Sequence, residues 1–144
     1  MMGVSFHTTR NVCISGPTTL TAQDRENVTR NFEQHVRSGD TVVSGAAHGV
    51  DTIGAKAAKD LGARLLIVRP TDLWHNEYLL SIADEIIDVY GTYMQRNDRL
   101  AQEGDVLIAY PPTAHEEVRS GTWATVRRFR ALGKPVTIVP LDSL

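Results

Sequence analysis

Two kinds of apolar pattern alternate along the chain. Short, β-branched runs at residues 11–16, 41–44, 65–68, 105–110 and 135–139 read as strands, several of them closed by Gly or Pro. Between them lie longer segments in which apolar residues recur three or four positions apart, the spacing of one helix face. Thr21, with Asp24 three residues on, has the form of a capping box, and Val28, Phe32 and Val36 continue that helix until Ser38-Gly39-Asp40 stops it. Val50, Ile53, Ala57, Ala58 and Leu61 mark a second helix that ends at Gly62. Leu65-Leu66-Ile67-Val68 is apolar at every position, as a parallel strand buried on both faces should be. Residues 79–90 fit a helix by period, yet Ile86-Ile87-Asp88-Val89-Tyr90 also reads as a strand; the reading adopted is a helix to about Ala83 and then a short strand. Residues 94–103 and 122–132 complete the helices, the second stopped by Gly133.

Strand–helix alternation at this spacing implies right-handed crossovers, hence a mainly parallel sheet of about five to six strands with helices on both faces, a three-layer α/β/α sandwich. In such a sheet a ligand binds beyond the carboxyl ends of the strands, where the strand order switches direction. A length of 144 residues suits one domain spanning 1–144, and 42% hydrophobic with 22% charged residues excludes a disordered, fibrous or coiled-coil chain. No apolar run reaches the roughly 20 residues of a membrane span, and residues 1–5 lack the marks of a secretory signal, so a cytoplasmic protein with no membrane partner is expected. The single Cys13 cannot pair internally, the five histidines lack ligand spacing, and no metal or cofactor is expected. A formal charge of −2 gives no overall drive toward nucleic acid.

The residues that follow the strands carry the candidate chemistry. Gly16, Pro17, Thr18 and Thr19 after the first strand make either a tight turn or a phosphate-facing loop with donor hydroxyls. Ser44, Gly45, Ala46, Ala47, His48, Gly49, Val50 and Asp51 run from the second strand straight into a helix. Small residues there admit either an anion to the helix N-terminus or a close strand–helix contact. The stretch is neither a Walker A loop nor a Gly-x-Gly-x-x-Gly turn. Asp51 either caps the helix or bonds a sugar hydroxyl, and His48 is placed in the pocket. Ser120, Gly121 and Thr122 start another helix on the same sheet edge, with Thr125 one turn further in, and two convergent anion sites suggest a phosphorylated ligand. Arg96, with Asn97 beside it, sits where a guanidinium can clamp phosphate. Trp74, in a loop with His75 and Tyr78, either stacks on a base or anchors a helix.

Three stretches, Ser44-Gly45-Ala46-Ala47-His48-Gly49-Val50-Asp51, Met94-Gln95-Arg96-Asn97, and Ser120 to Thr125 followed by Gly133-Lys134-Pro135-Val136, resemble in order the motifs of the SLOG superfamily. That group of Rossmann-like nucleotide-binding proteins includes the DNA-processing protein DprA and the Lonely Guy hydrolases. The resemblance covers roughly residues 11–140. It implies a nucleotide-type pocket at the strand ends, no cofactor, and pairing into a homodimer or higher homo-oligomer.

Departures from the pattern bear on activity. Where the Lonely Guy motif has a Glu that works with an Arg on an N-glycosidic bond, this chain has Thr125, which cannot act as a carboxylate base. Arg96 matches the family arginine, and Asp51, Glu116 or Glu117 would have to replace its partner; Arg96, Glu117 and Asp51 are therefore the catalytic candidates for a nucleoside 5′-monophosphate hydrolase. Ile14-Ser15-Gly16-Pro17 also resembles the first loop of nucleoside deoxyribosyltransferase-like proteins, whose nucleophile Asp51, Glu77 or Asp84 would supply. The threonine pattern looks closer to DprA, which binds single-stranded DNA. Arg119, Arg127, Arg128, Arg130 and Lys134 form a basic segment, but only Trp123 adds an aromatic, so DNA binding is the weaker reading. The favoured reading is a module that binds a nucleotide or nucleotide-derived phosphorylated molecule.

Overall fold

A computed structural model of the chain describes residues 9–71 and 76–144. In chain order the elements are β1 (Asn11–Ser15), α1 (Ala22–Glu33), β2 (Thr41–Ser44), α2 (Val50–Asp60), β3 (Arg64–Pro70) and α3 (Glu77–Ile82). They continue with β4 (Glu85–Val89), α4 (Tyr93–Glu103), β5 (Val106–Ala109), α5 (Gly121–Ala131), β6 (Val136–Ile138) and a final 3-10 turn at Leu141–Ser143. The six strands form one sheet in the order β4-β3-β2-β1-β5-β6, every pair parallel. This is a Rossmann-like α/β fold.

Alternation along the strands builds two cores. Val12, Ile14, Val42, Leu65 and Ile67 face α1, α2 and α3, where Val28, Phe32, Ala57 and Leu79 meet them. Their neighbours Cys13, Val43, Leu66, Leu107 and Ala109 face α4 and α5, against Leu100, Trp123, Val126 and Phe129. Both faces of the central strands are therefore dry, and the strand sequences are apolar at successive positions for that reason. β4 lies at the sheet's edge and is largely exposed, so its sequence carries Glu85 and Asp88 on either side of its isoleucines.

The expected capping box at Thr21 and Asp24 is present, with Asp24 N–H donating to Thr21 Oγ1 over 3.0 Å. The helix nevertheless stops at Glu33, short of Val36. Arg10 donates to the carbonyl of His35 at 2.7 Å, and the buried Asp40 carboxylate accepts from Arg37 N–H at 2.9 Å. These bonds hold the chain in a turn toward β2, and Val36 is buried by that turn rather than by helix periodicity. Residues 86–89 are strand, as adopted from the sequence, and the terminal 3-10 turn had no sequence signal.

Consecutive crossovers build outward from β1 to β4, and the chain then crosses back through α4 to lay β5 on the other side of β1. The switch in direction falls between β1 and β5. Loops leaving their carboxyl ends diverge there and open a crevice.

Candidate functional site

The crevice at the β1/β5 switch is a cavity of about 520 Å³, within the range of about 300–1,000 Å³ common for small-molecule sites. Gly16, Pro17 and Thr18 line it from β1, Asp51 from α2, Arg96 and Asn97 from α4, and Ser120, Gly121 and Thr122 from α5. Four distant stretches of sequence thus meet at one cavity. Glu117 joins them from the loop after β5, as an exposed carboxylate at the rim.

The small residues after β2 lie beneath this surface. Ser44, Gly45, Ala46 and Gly49 do not line the cavity, and the reason is packing. Gly49 has φ 72°, and a Cβ on it would stand 2.4 Å from the carbonyl oxygen of Pro17. Val50 N–H donates to that same carbonyl at 3.2 Å, so the loop after β1 is pressed onto the start of α2. Ser44 Oγ donates to the backbone oxygen of Asp51 at 2.9 Å and is wholly buried. Ala46 adopts φ 63°, a region L-residues seldom occupy, and its carbonyl accepts from Asn76 N–H at 2.9 Å.

Gly45 has the most telling surroundings. A Cβ there would be 2.4 Å from Arg96 Nη1 and 3.0 Å from Asp51 Oδ2, so the absent side chain makes room for an arginine and a carboxylate. Arg96 is only 8% exposed. Its Nη1 donates to the Gly45 carbonyl, its Nε donates to Asn97 Oδ1 at 3.0 Å, and its guanidinium lies 5.3 Å from the centre of the Tyr93 ring. Nη2 has no protein acceptor among the described residues. Asp51, 7% exposed, accepts from Ala47 N–H at 3.2 Å. Burial pushes its carboxyl above the ordinary range, while Arg96 and the backbone N–H groups of Ala47 and Gly45 pull the other way.

On the facing wall Ser120 caps α5, with Trp123 N–H donating to its Oγ at 3.3 Å. Thr125 is 1% exposed and returns its hydroxyl proton to the Gly121 carbonyl at 3.1 Å, so it does not reach the cavity. Tyr93, Trp123, Pro112, Thr113 and His115 also line the crevice and were not singled out as ligand contacts. The sequence signal for Tyr93 was its place three residues before Arg96, on the first turn of α4.

Several candidates lie elsewhere. His48 is exposed on a neighbouring hollow, with Asn76 Nδ2 at 3.3 Å from its Nδ1, rather than in the main crevice. Asp84 stands at the opposite, amino end of the sheet, bonded to Lys59 and to Leu65 N–H at 2.7 Å each, which removes it as a nucleophile for this crevice. Glu77 begins α3 and does not line the cavity. The expected base contact at Trp74 falls outside the described residues. In the basic segment Arg127 pairs with Glu116 at 3.2 Å, Arg128 pairs with Asp98, and Lys134 Nζ donates to the carbonyls of Ala101, Gln102 and Gly104.

No protein-family model and no curated protein sequence matches the chain. Among solved structures it is similar to DNA processing protein A (DprA) from Streptococcus pneumoniae, at a TM-score of 0.74 and 22% identity over 92% of this chain and 50% of that one. It is also similar to DNA processing protein A from Helicobacter pylori, described for its single-stranded DNA binding mode (TM-score 0.67, 22% identity, 92% and 66% of the two chains). A third similar structure is the molybdenum cofactor binding protein of Rippkaea orientalis (0.69, 22%, 92% and 77%). The chain thus spans about half the length of the pneumococcal DprA structure. Among the described residues, no helix is long and apolar enough to cross a membrane.

Proposed function

We propose that the protein is a SLOG-type ligand-binding module that takes a nucleotide or nucleotide-derived phosphorylated small molecule in the β1/β5 crevice. The observation that carries this reading is Arg96, a buried cation fixed by Gly45 and Asn97 at the cavity wall, with no acceptor for Nη2 among the described residues. A buried guanidinium is stabilised by an anion, and a phosphate offers the matching acceptors. Ser120, Gly121 and Thr122 add hydroxyl and helix-terminal N–H donors, and Pro17 and Thr18 close the opposite side. Tyr93 and Trp123 supply an aromatic wall for a base, a role the sequence had given to Trp74. The names of the similar structures support ligand binding by a module of this fold, one set being DNA-processing proteins and the other binding a molybdenum cofactor.

The second reading is an N-glycosidic hydrolase, favoured by two carboxylates on one cavity, Asp51 in the floor and Glu117 at the rim. Thr125 argues against it, since the position that carries the Lonely Guy glutamate holds a hydroxyl bonded back to its own helix. The weaker DNA reading is further reduced by the carboxylates and carbonyls that engage Arg127, Arg128 and Lys134.

One experiment separates the first two. A panel of nucleoside 5′-monophosphates is incubated with the protein, melting temperature is recorded, and free base is measured by chromatography. Ligand at about 100 times its dissociation constant adds about 2.7 kcal/mol, a rise of several degrees. The expected result is such a rise without base release, and its loss in Arg96→Lys, which keeps charge but not the planar fork. Base release that disappears in Asp51→Asn or Glu117→Gln would make the protein a hydrolase instead.

A further inference from the structure

Beside the crevice, across the loop after β1, lies a second hollow of about 390 Å³ that the proposed function does not use. Thr18 belongs to both, and Thr19, Arg25, His48, Gly49 and Thr52 complete the second. Among the described residues, no carboxylate lines it. That is unusual for this molecule, whose other surface cations mostly stand against acids: Arg10 with Asp40, Lys59 with Asp84, Arg64 with Glu85, Arg127 with Glu116. Arg25 has acidic neighbours on both sides in sequence, yet neither reaches it. Asp24 turns back to the Thr21 N–H, and Glu26 pairs with Arg30. Arg25 therefore presents an exposed guanidinium without a carboxylate partner among the described residues.

An imidazole stands beside it, next to the Asn76 amide. Asn76 Oδ1 accepts from Tyr78 N–H at 3.1 Å, which orients the amide so that Nδ2 faces His48 Nδ1 and Thr52 Oγ1. The hollow is thus lined by a cation, an imidazole and the exposed hydroxyls of Thr18 and Thr19, with Thr52 Oγ1 already spent on the Ala47 carbonyl.

We infer that this hollow is a second phosphate subsite, so that the ligand is a phosphodiester-linked nucleotide carrying one phosphate in the crevice and the next across Thr18, against Arg25 and His48. The inference rests on the crevice holding the first phosphate.

The test compares a nucleoside 5′-monophosphate with its 5′-phosphorylated dinucleotide by calorimetric titration, using adenosine, guanosine, cytidine and thymidine pairs. The dinucleotide should bind about tenfold or more tightly, as one further charge-assisted contact provides. Arg25→Gln and His48→Gln should each remove most of that gain and leave the monophosphate unchanged. Both side chains are exposed, so neither substitution threatens the fold. A dinucleotide no tighter than its monophosphate, or a gain that survives in Arg25→Gln, would overturn the subsite. Failure of the underlying reading looks different, because then no monophosphate binds the wild-type protein at all. A phosphorylated twelve-residue single strand run alongside identifies the source: affinity equal to the dinucleotide's marks a small ligand, and affinity that grows with length marks a strand. Both retain the subsite if Arg25→Gln weakens them.

Discussion

Gly45 shows how one missing side chain can organise a site. Its Cα faces Arg96 and Asp51 together, so Gly45→Ala forces either the guanidinium or the carboxylate to move. Overpacking of this kind costs about 1–3 kcal/mol; denaturant unfolding should show that loss, and the ligand-induced rise in melting temperature should vanish with it. Gly121→Ala is the contrast. A Cβ there meets nothing within 4 Å, so the fold should be unharmed while the added methyl at the cavity lining weakens ligand binding, read by titration. Asp51 makes a pH prediction. Its folded carboxyl titrates above the ordinary 3.8 because it is buried. A raised value means that the stability its neutral form contributes is complete below the unfolded value and lost as pH rises through the folded one. Asp51→Asn removes that loss, so the stability of the variant relative to wild type, followed by thermal unfolding, should climb as pH is raised from about 3 toward 7.

At the scale of elements, the packing of α4 decides where Arg96 stands. Lys134, just before β6, donates to three carbonyls at the end of that helix, Ala101, Gln102 and Gly104, satisfying acceptors that the helix leaves open. Lys134→Met keeps the stem but loses these bonds; it should lower stability by about 1–2 kcal/mol, measured by chemical denaturation. The sequence made Lys134 look like part of a basic surface, because a carbonyl partner some 30 positions away leaves no local mark. The strand and helix order was legible for the opposite reason: burial of both sheet faces writes itself into every strand, and capping residues announce themselves within one turn. What eluded the pattern depended on distant contacts. The end of α1 is set by Arg10, 25 positions from the carbonyl it bonds, and by Asp40 beyond the helix. The small residues after β2 left open either an anion at the helix start or a close strand–helix contact, and the sequence alone does not show what approaches them. The loop after β1 does so at Gly49, and Arg96 does so at Gly45.

Over the whole molecule, charge is balanced locally rather than gathered into a stripe. The formal net charge is −2, and most surface cations are paired within the chain. Nucleic acid binding that depended on many phosphates would fall steeply with salt, by about 0.7 in log–log slope for each phosphate of a single strand. For a single-stranded oligonucleotide on this protein the slope should lie between about 0.7 and 1.4, the signature of one or two phosphates, and a salt series of binding titrations checks it. The floor and walls of the crevice are also built differently. The loop after β1 is locked to α2, where Gly49 abuts Pro17 and a Cβ on Gly16 would strike Val50. Residues 112–119 on the far side are all exposed, and the bonds reaching 113–119 from outside that stretch, among the described residues, come from Arg127 and from the N–H of Ser120. A molecule bound in the crevice would thus lie between a locked surface and a wall tethered chiefly by one arginine, and Arg127→Ala, although Arg127 does not line the cavity, is expected to shorten its stay.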